Sequence, residues 1–260
     1  MPLLSPEINI LNKVCEKVSK IIIRDFGEVE KLQVSKKGPG DFVTQTDKKV
    51  EKIIIEELDK ARPNYGFIAE ESGEKKSDTE FNWVIDPIDG TSNFMHGVPH
   101  FAISIALEKN GEIISGIICD PIKNETFYAE KGRGSYVNNR RIRVSGRKNF
   151  DEMIGLHGCP PLIDNDNKIF SQLLRGSKKI HKLRNFGSAS LDFAYVASGR
   201  ADFAWYDHLK YWDFAAGKII LTEAGGIITD FKGKEYLKQQ EIFVSNSMRH
   251  NDIINILFNE

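Results

Sequence analysis

Apolar residues recur at Ile8, Leu11, Cys15, Val18 and Ile22, the spacing of one helical face, so the first segment packs a stripe against a core. A second helix follows Asp41-Phe42-Val43-Thr44-Gln45-Thr46-Asp47, with Val50, Ile53, Ile54 and Leu58 inward and Pro63 stopping it. Asp47 then lies in the first turn, where the helix dipole favours negative charge. Tyr65 to Ala69 and Trp83 to Ile85 read as short buried strands. Phe101 to Glu108 and Glu112 to Ile118 flank Asn110-Gly111, the strongest short hairpin signal. Further strands are expected around Thr126 to Glu130 and Arg140 to Val144. After Asp151 the pattern alternates. Strands near Met153 to Leu156, Lys179 to Leu183, Ala201 to Tyr206 and Gly226 to Asp230 are interleaved with helices near Asn167 to Leu174, Ser188 to Ser198 and Trp212 to Ala224. A strand-rich half followed by an alternating half fits a layered α+β or α/β sandwich.

Composition narrows the class. The 260 residues are 40% hydrophobic and 28% charged, enough for one large domain or two closely packed lobes. A formal net charge of -1 gives no global field that would favour nucleic acid or an acidic membrane. No apolar run approaches membrane-spanning length, and Met1 to Glu7 lacks the basic and apolar regions of a signal peptide, so a cytoplasmic protein is expected. Cys15, Cys119 and Cys159 are scattered without CxxC spacing, which suits free thiols in a reducing compartment. His96 and His100 have the i, i+4 spacing of a helical zinc site, but Gly97 and Pro99 between them break the helix such a site needs.

The chemistry concentrates at Trp83-Val84-Ile85-Asp86-Pro87-Ile88-Asp89-Gly90-Thr91, where an apolar strand runs into two aspartates. Pro87 forbids a ladder hydrogen bond and should end the strand at Asp86, after which a turn swings Asp89 round beside it. Gly90 lets a bulky anion approach, and Thr91 can cap the segment after it. Converging carboxylates repel; a hard cation with oxygen ligands removes the conflict, and Mg²⁺ binds in this way together with substrate phosphate. The same residue types also suit a plain polar surface turn. Two further acidic stretches extend the pattern: Glu70-Glu71-Ser72-Gly73 after a strand, and Trp212-Asp213-Phe214-Ala215-Ala216-Gly217 opening a helix that closes with Thr222-Glu223-Ala224-Gly225-Gly226.

These three motifs, in this order between about Lys36 and Asp230, resemble the inositol monophosphatase family of Mg²⁺-dependent, lithium-sensitive sugar phosphatases. The resemblance implies an αβαβα sandwich, with residues 1–150 carrying most metal ligands and 151–260 carrying substrate contacts and the last ligand. It implies one Mg²⁺ on Glu70, Asp86 and the Ile88 carbonyl, a second on Asp86, Asp89 and Asp213, and a weaker third near Glu70. Such a site needs carboxylates and neither histidine nor thiolate. Thr91 paired with Asp47 matches the positions that orient and deprotonate the attacking water. Gly90 and Thr91 match the amides that grip phosphate. Glu71 reads as a structural neighbour of Glu70. Lys36 falls where the family places a lysine near the metals, although a solvated lysine beside Lys37 would look the same.

On the substrate side, Gly187-Ser188-Ala189 matches a helix start that contacts the sugar, and Asp213 borders the same region. Where inositol-cleaving relatives usually carry a glutamate, this chain has Tyr206, with Asp207 next. Adjacent strand residues face opposite ways, so Asp207 replaces that contact only if the backbone bulges. Tyr211 also departs from the cysteine or proline common before Trp212. The expected substrate is inositol 1-phosphate or a similar small polyol or sugar phosphate. Sister enzymes for fructose 1,6-bisphosphate, 3′-phosphoadenosine 5′-phosphate or histidinol phosphate share the metal motifs. A non-catalytic regulatory protein on the same fold is a further alternative, though it would gain nothing from the crowded negative charge. Similar proteins are usually homodimers.

Overall fold

Helix α1 (Pro6–Phe26) begins at Ser5, whose hydroxyl accepts the Ile8 amide at 3.2 Å, with Pro6 placed where its missing N–H costs nothing. The expected stripe of Ile8, Leu11, Cys15, Val18 and Ile22 is buried. The computed structural model describes residues 4–28, 34–38, 41–158, 167–235 and 241–258, with 34–38, 41–43 and 167 described by backbone alone. The expectations for Cys159 and for the Lys36 side chain therefore lie outside the described residues. Cys15 and Cys119 are buried free thiols.

A two-stranded ribbon, β1 (Val34–Gly38) with β2 (Asp41–Thr44), leads into α2 (Gln45–Ala61). That helix is fixed by a capping box in which Thr44 and Asp47 serve each other's backbone amides. Val50, Ile54 and Leu58 are buried and Ile53 is half-buried.

Two sheets come next. The first contains β3 (Gly66–Ala69), β4 (Gly73–Lys75), β5 (Phe81–Asp89), β6 (Ala102–Lys109), β7 (Glu112–Asp120), β8 (Glu125–Glu130), β9 (Gly134–Val137) and β10 (Arg140–Ile142), in the order β10-β9-β8-β7-β6-β5-β3-β4. Only β3 and β5 run parallel. A short helix, α3 (Thr91–Met95), follows β5 and stops before Gly97, so His96 and His100 do not share a helix. The second sheet holds β11 (Ile154–His157), β12 (Lys182–Arg184), β13 (Phe203–Tyr206), β14 (Ile227–Thr229) and β15 (Ile242–Ser245), in the order β12-β11-β13-β15-β14. The remaining helices are α4 (Asn167–Ser177), α5 (Ala189–Ala197), α6 (Tyr211–Glu223) and α7 (His250–Phe258).

Stacking gives five layers. Helices α1 and α2 cover one face of the first sheet, α5 and α6 lie between the sheets, and α4 and α7 cover the far side of the second. The sandwich is αβαβα, as the motif resemblance implied. The middle helices are buried nearly all round, which is why they read as apolar runs rather than stripes. One continuous core joins Val84 and Ala102 of the first sheet, Leu191 and Phe214 of the middle layer, and Ala204 and Val244 of the second sheet. Among the described residues no helix is long and apolar enough to cross a membrane.

One expectation is corrected. Strand β5 does not stop at Asp86 but continues to Asp89 through a register shift: Asp86 pairs with Ser104 and Asp89 with Ala102. Three steps on β5 match two on β6, so one extra residue bulges out beside Pro87, the place where a strand tolerates proline. The bulge has a consequence for orientation. Residues three apart on a regular strand face opposite sides, and the extra residue makes their spacing effectively even. Asp86 and Asp89 thus come to the same face.

Candidate active site

A cleft of about 300 Å³ opens where the carboxyl end of β5 meets the starts of α5 and α6. Its wall includes Glu70, Asp86, Ile88, Asp89, Gly90 and Thr91 from the first sheet side, and Gly187, Ser188, Ala189, Tyr206, Asp207 and Asp213 from the second. Residues from three motifs spread over 144 positions of sequence therefore share one surface, since Glu70 and Asp213 both face it (213 − 70 = 143, counted inclusively).

Each acid is anchored by hydrogen bonds, some local and some from distant segments. Asp86 accepts the Ile88 amide at 3.0 Å across the bulge. Asp213, three residues into the start of α6, accepts the Lys210 amide at 2.8 Å. Asp89 reaches across to α5, where it accepts the Ser190 amide at 2.7 Å, the Ala189 amide at 3.3 Å and the hydroxyls of Ser188 and Ser190. It acts as the anion at that helix's positive end. Glu70 sits just past β3, its amide bonded to the Ile85 carbonyl at 3.2 Å.

Electrostatics mark these acids as a group. Burial, and then the charges of Glu70, Asp89 and Asp213, push the Asp86 carboxyl well above the usual range. Burial and the charge of Asp89 push Asp213 up to about 8. Asp89 is raised by burial, with the hydrogen bonds from Ser188 and Ser190 opposing the rise. No lysine or arginine lines the cleft among the described residues; the nearby Lys210 opposes the rise of Asp213 only in part. Among the described residues no three such groups lie close enough together to cage an ion as they stand. An oxygen-only donor set that repels itself fits a hard divalent cation.

Beside the acids, Thr91 opens α3. Its hydroxyl lies 3.0 Å from the Ile88 carbonyl and 3.2 Å from Asp47 Oδ1. Asp47 does not line the cleft but is fully buried beneath it, its other oxygen bonded to the amide and hydroxyl of Thr44. Burial raises its carboxyl above the ordinary value, and the hydrogen bonds from Thr44 hold the rise in check. Gly90 has a φ of 94°, and a side chain there would crowd the Gly187 and His100 carbonyls.

The other end of the cleft is less open. Tyr206 is 6% exposed, and its hydroxyl donates to fully buried Asp192 on α5. Gly158 packs so closely on the Tyr206 ring that a Cβ there would lie 2.2 Å from it. No bulge turns Asp207 inward. Strand β13 ends at Tyr206, and Asp207 reaches the cleft from the turn beyond it, 3.5 Å from His208, whose φ is 69°. Glu71 is not among the lining residues.

A family model described as the inositol monophosphatase family matches residues 3–259. The chain belongs to the inositol monophosphatase family. It is 47% identical over 228 residues to the inositol-1-monophosphatase of Rhizobium meliloti strain 1021, covering 87% of this chain and 86% of that one. A fructose-1,6-bisphosphatase/inositol-1-monophosphatase of Thermotoga maritima is 39% identical over 246 residues, 94% of this chain and 93% of the relative. The crystal structure of the extragenic suppressor protein suhB from Bartonella henselae matches with a TM-score of 0.95 at 42% identity, covering 98% of this chain and 99% of that one. The inositol monophosphatase family is generally metal-dependent, in keeping with the donor set.

Sequence reasoning missed several residues that build the site. Thr44 was legible as the partner of Asp47 in a Thr-x-x-Asp cap. Glu51 and Asp192 carried a subtler signal, an acid inside an otherwise apolar helical face; both are buried. Ser190 had no local signal, because its role depends on Asp89, 101 positions away.

Proposed function

We propose that the protein is a Mg²⁺-dependent phosphomonoesterase that hydrolyses inositol 1-phosphate, or a similar small polyol or sugar phosphate, to the free polyol and phosphate. The observation that carries this reading is the gathering of Glu70, Asp86, Asp89 and Asp213 with the Thr91–Asp47 pair at one cleft. Glu70, Asp86 and the Ile88 carbonyl would hold one ion, Asp86, Asp89 and Asp213 a second, with a weaker third near Glu70. When bound, such ions polarise phosphoryl oxygens and acidify water.

The chain's own groups supply the rest. Thr91 has one hydroxyl hydrogen and two acceptors, Asp47 and Ile88, so the hydrogen is committed inward and the lone pairs face the cleft. A water there can hydrogen-bond to Thr91 Oγ1 and pass its proton through the hydroxyl to Asp47. Burial makes Asp47 a better proton acceptor than an exposed aspartate. The amides of Gly90 and Thr91 would hold the phosphate, and Gly187, Ser188, Ala189, Tyr206, Asp207 and Asp213 would border the alcohol. Residues 1–150 thus bring most ion ligands, and 151–260 bring the substrate wall. Lithium sensitivity, a cytoplasmic setting and a homodimeric state belong to the same proposal.

Phosphate release from inositol 1-phosphate with and without Mg²⁺ tests it: turnover should need the ion, and no release in its presence would overturn the reading. The Thermotoga relative's name favours one second reading, activity on fructose 1,6-bisphosphate. A side-by-side kcat/KM comparison of the two substrates decides between them.

A further inference from the structure

Helix α2 carries a second buried acid that the proposed chemistry does not use. Glu51 lies one turn beyond Asp47 on the same face, is 2% exposed, and has no cationic partner among the described residues. Its two oxygens are both engaged by backbone. Oε2 accepts the Glu71 amide at 2.7 Å, and Oε1 accepts the Ser72 amide at 2.8 Å.

Those amides belong to the three-residue loop joining β3 to β4, whose first residue is Glu70. The Glu70 amide is itself held by the Ile85 carbonyl at 3.2 Å, and Gly73, at φ 77°, turns the chain back so that it pairs with Ala69. Three successive amides are thus fixed, two of them by one side chain 19 positions before Glu70 (70 − 51). A buried carboxylate without such bonds would be costly, and with them it forms two charge-assisted hydrogen bonds. The bidentate use explains the residue type. Glutamine has one acceptor oxygen, and its NH₂ would face an N–H.

We propose that Glu51 is a positioning residue: it clamps the β3–β4 loop so that Glu70 faces the ion site, while Asp47 on the same helix face sets Thr91. The inference rests on the metal-dependent reading above. Helix α2 then places the ion ligand and the water-orienting pair together, as one rigid element.

The test is Mn²⁺ binding to the metal-free full chain by titration calorimetry, which needs no turnover. Glu51→Gln should weaken binding about tenfold, the lower end of the effect of losing a residue that orients a metal ligand. In phosphate release, raised metal should restore most of kcat with KM for the phosphate ester unchanged. A residue that only stabilised the fold would lower the melting temperature without raising the metal requirement. Glu51→Asp keeps the buried charge but cannot reach both amides, and should shift binding the same way. Wild-type Mn²⁺ affinity in either folded variant, or failure of both to fold, overturns the proposal. Asp86→Asn in the same titration separates the two readings. If it loses binding while Glu51→Gln does not, only the positioning role fails; if it keeps wild-type affinity, the metal reading fails and this one with it.

Discussion

The two ends of the cleft are built on different logic. At the acidic end, backbone close by in sequence does much of the placing: the bulge at Pro87 turns Asp86 and Asp89 to one face and the start of α6 holds Asp213. Asp89, Glu70 and Thr91 also take partners from distant segments. At the alcohol end, the groups are set by side chains far away. Ser188 and Ala189 are engaged by Asp89 about a hundred positions earlier, and the Tyr206 hydroxyl is engaged by Asp192. Local backbone devices leave a motif that can be read along the chain, whereas long-range pairings do not. Glu70, Asp86, Asp89 and Asp213, each named by such a motif, line one cleft, while the alcohol end holds groups whose hydrogen bonds are already spent inside the protein.

The sharpest way to break this contrast is to remove charge at the acidic end. Asp89→Asn and Asp213→Asn should each lower kcat/KM on the order of 10²–10³-fold, comparable to losing a preorganised electrostatic contact. Their stabilities should part company. Asp89 holds the start of α5 through four hydrogen bonds, and asparagine presents its NH₂ to some of those donors, so the metal-free variant should lose on the order of 1–3 kcal/mol. Among the described residues Asp213 accepts a single hydrogen bond, from the Lys210 amide, and repulsion from Asp89 outweighs the attraction of Lys210, so Asp213→Asn should leave stability level or raise it. Denaturant melts of both metal-free variants check this, and equal losses would show that Asp89 does not brace the two halves of the cleft.

Metal removal should have a smaller effect, and one that depends on pH. In the metal-free protein Asp86 and Asp213 are raised above 3.8, Asp213 to about 8. Between about pH 4 and about pH 8 these carboxyls bind more protons in the folded chain than in the unfolded one, so their contribution to stability falls as pH rises through that window. A bound divalent cation cancels the repulsion. The gain in Tm on adding Mg²⁺ should accordingly be larger near the top of that window than near its foot. A gain independent of pH would mean that the four acids do not act as one group.

Much of the fold was legible because its signals are local. The stripe of α1 and the Asn110-Gly111 turn, with φ values of 50° and 82°, follow from spacing and residue type alone. The bulge in β5 was not legible, since Pro87 signals a break in the ladder without saying whether pairing resumes. Strand β15 went unread because three apolar residues, Ile242-Phe243-Val244, are too few for periodicity to assign; its burial is decided by β13 and β14 on either side. Glu51 and Asp192 went unread because an acid in an apolar face signals a buried partner without naming it.

The smallest expected effects lie at Tyr206 and Asp207, and they sharpen the contrast from the other side. If Tyr206 is wall rather than contact, Tyr206→Phe removes the hydroxyl bonded to Asp192 and costs on the order of 1–3 kcal/mol of stability. KM for inositol 1-phosphate should then change by less than about twofold, an effect too small to represent a lost hydrogen bond. Tyr206→Glu, which would supply the carboxylate of inositol-cleaving relatives, instead sets a second buried acid against Asp192 and should destabilise the protein without improving KM. Asp207 reaches the cleft from the turn after β13, beside His208, and is placed to meet ring hydroxyls there. Asp207→Ala should raise KM for inositol 1-phosphate roughly fivefold, about 1 kcal/mol, and leave a small aryl phosphate unaffected because it lacks the hydroxyls. Equal KM changes for both esters would place Asp207 at the phosphate rather than the alcohol. A selective gain of inositol turnover in Tyr206→Glu would show that the Asp192 pairing yields to substrate and that the alcohol end is as open as the acidic one.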